Sequence, residues 1–103
     1  MKTRDNYREK MEAEIRKIDP GIDDLAQRIE SISGTQDFID MTGVMDTVQE
    51  RRNRLSGHMA ELQGAEKEEW LHLRRSIDNA VSAVDSALTA AWREFKEKQA
   101  ENQ

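Results

Sequence analysis

Apolar side chains recur in a 4,3 rhythm at Met11, Ile15, Ile18, Ile22, Leu25, Ile29 and Ile32. The rhythm returns at Met41, Met45, Val48, Leu55, Met59 and Leu62, and again at Trp70, Leu73, Ile77, Ala80, Val84, Ala87 and Ala91. A mean spacing of about 3.5 residues aligns side chains on one face of an α-helix, and such a strip is stable when another helix covers it. The pattern predicts an all-α protein, an antiparallel helical bundle or coiled coil of three helical segments at about 4–32, 38–63 and 66–98, in a single domain over 1–103.

Punctuation between the seams refines this picture. Thr3 or Asp5 is placed to cap the first helix, and Asp5 and Glu9 suit the positive end of its dipole. Pro20 falls inside that segment and would ordinarily interrupt it at a cost of about 3 kcal/mol. Because Ile15, Ile18, Ile22 and Leu25 keep phase across the proline, we expect a kink or an Asp19-capped restart, with no reversal of direction. Ser33-Gly34-Thr35-Gln36-Asp37 is the strongest turn signal, and there the chain should double back. Gly43 and Gly57 lower helix propensity in the second segment, which therefore depends on its partners.

Around Gly64 two readings remain open. Gly64 could end a helix and give three segments of similar length, so that one chain buries all three seams. Yet no Ser, Thr, Asp or Asn lies between Gln63 and Glu69 to cap a new helix. The step from Leu62 through Glu66 to Trp70 equals a four-residue stutter, so one helix could instead run from about 38 to 98. The matched segment lengths favour the turn.

The third seam is widened by Val81, Leu88 and Phe95, with Trp92 beside the last two at helical spacing. Leu88, Trp92 and Phe95 are the candidate partner-binding residues, with another helix or a second copy as the occupant. Arg52 occupies a seam slot where the rhythm calls for an apolar residue. Either it fixes register or oligomeric state, or its stem lies on the seam while the guanidinium reaches water.

Charge removes several classes of function. Charged residues are 36% of the chain and the net charge is −5, but residues 1–34 hold seven basic and eight acidic side chains, 35–64 three and five, and 65–103 six and eight. With no segment strongly basic, nucleic-acid binding is not expected. The chain has no cysteine, so thiol catalysis, disulfides and thiolate metal sites are excluded. The charged start Met1-Lys2-Thr3-Arg4-Asp5-Asn6 reads as neither a signal peptide nor a spanning segment, and a cytoplasmic protein is the expectation.

Candidate chemistry is sparse. Glu69-Trp70-Leu71-His72 has the Glu-x-x-His spacing of carboxylate-bridged di-metal bundles, but such sites need a second copy of the motif, and the chain has none. His58 and His72, off the seams, read as surface side chains. Met11, Met41, Met45 and Met59 could form an adaptable groove but are more simply core. Glu12 to Arg16, Asp24 to Arg28, Glu50 to Arg54 and Glu94 to Lys98 are i,i+4 pairs that support exposed helix faces. No phosphate loop, activated nucleophile or pocketed carboxylate pair is evident, so we expect no enzyme, cofactor, metal or small-molecule substrate.

Thr3-Arg4-Asp5-Asn6-Tyr7-Arg8-Glu9-Lys10-Met11, together with Trp70, Leu73, Ile77, Ala80, Val84, Ala87 and Leu88, resembles the small bacterial coiled-coil proteins described as stress-response-associated. Their tail runs W-x-x-L-x-x-G-V-x-x-A-W-x-x-L-x-x-A-F. This chain departs from it with Ser76 for the glycine and Val81 for the second tryptophan, and carries Pro20 in its first helix. The resemblance brings no activity, catalytic residue or cofactor, and implies amphipathic helices similar in composition to apolipoproteins. The expectation is a non-enzymatic structural or interaction protein that self-associates, as a homodimer, or binds another protein. The alternative is reversible binding to a membrane surface, against which the balanced charge of the polar faces argues.

Overall fold

Each 4,3 seam becomes one helix. The computed structural model describes residues 2–101, with side chains from Arg4 onward. It places α1 at Lys2–Glu30, α2 at Gln36–Gly64 and α3 at Lys67–Glu101, with no strand among the described residues. The helices run up, down and up, and α2 packs more extensively on α3 than α1 does on either. The bundle measures 54 × 18 × 16 Å. Its length is that of its longest helix, since 35 residues at about 1.5 Å each span about 52 Å.

The seams meet in one core. Leu25, Met41, Val48, Leu55, Leu62, Ile77 and Val84 are fully buried, and among the described residues no polar or charged one is buried with them. Burial of this apolar surface supplies most of the stabilisation. Ala80 and Ala91 let neighbouring helices approach α3 closely.

Pro20 neither ends α1 nor restarts it, because the helix is continuous from Lys2 to Glu30. Asp19 caps nothing there and is engaged across the bundle instead. At Gly21 the absent side chain matters, since a Cβ would stand 3.1 Å from Leu88 Cδ2 on α3. Of the two expected caps of α1, the Thr3 side chain lies outside the described residues, and Asp5 sits within the first turn.

The expected turn after α1 is present. Gly34 has φ +91°, a left-handed conformation that glycine adopts without steric cost. Thr35 then caps α2, its hydroxyl oxygen accepting from the Phe38 backbone N–H at 3.1 Å. Between α2 and α3 the chain turns at Ala65 and Glu66, so the long continuous helix does not form. With no Ser, Thr, Asp or Asn to cap, this turn is held by the Ala65 N–H donating to the Leu62 carbonyl at 3.3 Å and by contacts from outside. The Ala65 carbonyl accepts from Arg4 Nη1 at 2.6 Å, and the buried Ala65 methyl anchors the chain to the core.

Candidate interaction surfaces

Midway along the bundle, the polar slot in the α2 seam faces α1. Arg52 donates to Asp19 through Nε at 2.5 Å and Nη2 at 2.9 Å, and to Ser56 Oγ through Nη1 at 2.5 Å. A planar guanidinium matches both carboxylate oxygens in this two-pronged way, which makes the pair stronger than a single-contact ion pair. The bond from Arg52 holds the Asp19 carboxyl below the usual carboxylate range, and the same bond raises Arg52. The stem does lie on the seam, but the head group is largely withdrawn from water, its side chain 20% exposed, and is tied to a carboxylate of the same chain. That partner was visible in the sequence only as a prospective cap.

The three residues proposed as a partner-binding face do not share one. Leu88 and Phe95 are buried in the chain's own core at 8% and 7% exposure, because α3 packs against two helices and its wide stripe is covered from both sides. Trp92 alone reaches the surface, half-buried. Its ring meets Phe95 edge-on at 6.4 Å, and Arg28 of α1 lies over it at 5.4 Å with Lys96 at 5.9 Å. Cationic side chains on an indole face are attracted by the ring quadrupole. Trp92 thus serves to join α3 to α1.

Polar clamps close the two ends. At one, the Tyr7 hydroxyl lies 2.5 Å from Asp78 Oδ1 and 2.9 Å from the Arg74 carbonyl, while its ring sits 6.1 Å from Trp70 under the Arg74 guanidinium. Burial, followed by the hydrogen bond to Asp78, pushes the phenol well above its ordinary value. At the other, Lys98 Nζ reaches Asp40 at 3.3 Å and Asp37 at 3.9 Å. A bond from Gln36, then that from Lys98, holds Asp40 low, and Lys98 is raised in turn by Asp40.

Of the expected i,i+4 pairs, Asp24 to Arg28 closes at 3.3 Å and Glu50 to Arg54 at 3.6 Å. Glu12 pairs instead with Arg8 at 3.7 Å, and Lys98 leaves Glu94 for α2. The first is a rival pair one turn back along α1, and the second a tertiary contact.

Shallow grooves remain between the helices. The α1–α2 groove is lined by half-buried Ile15 and Met59 with Ala60, beside Glu12, Arg52 and Gln63. Ile39 and Leu71 are exposed, near opposite ends of the bundle. Met11, Met41 and Met45 are core. Glu69 and His72 are both exposed, and no group of three or more His, Asp or Glu side chains among the described residues is arranged to hold a metal ion. Among the same residues, no helix is long and apolar enough to cross a membrane. No protein-family model, curated protein or solved structure matches the chain.

Proposed function

We propose that the chain is a non-enzymatic interaction module that pairs with a second copy of itself or takes a partner helix. The observation that carries this reading is the α1–α2 groove, where the half-buried seam residues Ile15 and Met59 lie side by side. Apolar side chains along a groove with polar residues at its edges suit an amphipathic helix laid between α1 and α2. With the groove in place of the Leu88, Trp92 and Phe95 face, the contact moves from the third helix to the first two. Lipid adsorption is less well supported, because exposed Ile39 and Leu71 are too far apart to form one apolar face. A stress-associated, cytoplasmic setting is part of the proposal, the first resting on the family resemblance and the second on the charged N-terminal segment.

Sedimentation equilibrium over a wide concentration range tests the reading. The wild-type chain should dimerise as concentration rises, and Ala60→Arg, a change at an exposed position on the groove wall, should remain monomeric with its helicity intact. A wild-type monomer throughout, with no helical partner that A60R fails to bind, would remove the proposal.

A further inference from the structure

We propose that the groove between α2 and α3 is a binding site for a small phosphate-bearing ligand. Arg51, Arg54 and His58 line it from α2, at spacings that put all three on one helix face. Ser76 and Asn79 line it from α3, above a floor of Ala80 and Ala83. No carboxylate lines this groove, whereas the α1–α2 groove carries Glu12 and the α1–α3 groove carries Glu14 and Asp85. On a chain of net charge −5, that is a local concentration of positive charge supplied by α2 and left unopposed by the α3 residues of the groove.

The donors here are largely uncommitted. The side chains of Arg51, Ser76 and Asn79 make no hydrogen bond or ion pair with another described residue. Arg54 has one charged neighbour, Glu50 at 3.6 Å, and both side chains are more than 60% exposed, so little holds them together. The enclosed Nδ1 of His58 has no hydrogen-bond partner, with Glu61 at 3.7 Å.

The geometry favours phosphate over carboxylate. A carboxylate offers two coplanar oxygens and satisfies one guanidinium, while a tetrahedral phosphate offers oxygens in several directions and can meet cations on α2 and neutral donors on α3 together. The alanine floor leaves about 320 Å³, at the small end of ligand sites and enough for a phosphate with a compact organic part.

The test is NMR titration of the isotopically labelled full chain with inorganic pyrophosphate at constant ionic strength. Saturable shifts should concentrate in residues 51–58 and 76–83. Arg51→Gln should weaken binding about tenfold, the effect of losing one charged hydrogen bond. Ala83→Leu should weaken it as well, since it raises the floor and keeps every charge, with circular dichroism unchanged in both variants. Shifts that are linear and dispersed, or equal in wild type, R51Q and A83L, would overturn the site. So would binding seen with phosphatidic acid vesicles and absent with pyrophosphate, which would make the groove a membrane contact.

Discussion

Two side-chain clusters make stability depend on pH in opposite senses. The carboxyl of Asp19 is depressed in the folded state, first by its bond from Arg52, so the pair stabilises the fold at pH values above the ordinary carboxylate range near 4. That contribution is lost as pH falls through the lower, folded value. Asp19 is 42% exposed, which limits the effect to about 0.5–1 kcal/mol. In urea unfolding, Asp19→Asn should be less stable than wild type by that amount at neutral pH, and the gap should close in strong acid. Tyr7 behaves with the opposite sense. Its folded phenol is raised, so its contribution is complete below the ordinary value near 10 and is lost as pH rises above it. Tyr7→Phe should cost about 1 kcal/mol at neutral pH through the lost hydrogen bond. It should also remove part of the alkaline loss of stability that wild type shows.

At the scale of the helix, α1 carries an evident local conflict. Pro20 removes one backbone donor from an exposed position of a continuous helix, and packing of Ile18, Ile22 and Leu25 on both sides overrides the cost. Pro20→Ala should raise stability by about 1–3 kcal/mol. Gly34→Ala should lower it by about 1 kcal/mol, because the turn holds φ at +91°. Chemical denaturation of the two variants, shifting in opposite directions, checks both. These elements also mark what the sequence made legible. The seams and the turn at Gly34 are local signals, and the helices follow them to within a few residues. The turn after Gly64 is the favoured of two readings of the sequence, but the Arg4 bond that ties it, from 61 residues away, and the packing against α2 and α3 that carries α1 through Pro20 are not legible there. No local pattern contains that information. The assignment of Leu88 and Phe95 to an outward face failed for a related reason: a helix touched by two neighbours buries a stripe wider than one seam.

Over the whole molecule, charge bookkeeping by segment concealed what the fold assembles. Arg51, Arg54 and His58 on α2 face Ser76, Asn79, Ala80 and Ala83 of α3, and the resulting groove is visible once the helices are aligned. Asp19 and Arg52, 33 residues apart, become a cross-helix pair for the same reason. The pair depends on the reversal at Gly34 between α1 and α2, and the groove on the reversal at Ala65 and Glu66 that folds α3 back along α2. Small-angle X-ray scattering of the full chain, extrapolated to infinite dilution with mass from forward scattering, addresses that reversal directly. A three-helix bundle at monomer mass should give a longest dimension close to the 54 Å of the backbone, enlarged by side chains and hydration. A rod near 100 Å, the length of residues 36–101 as one helix at about 1.5 Å per residue, would contradict it.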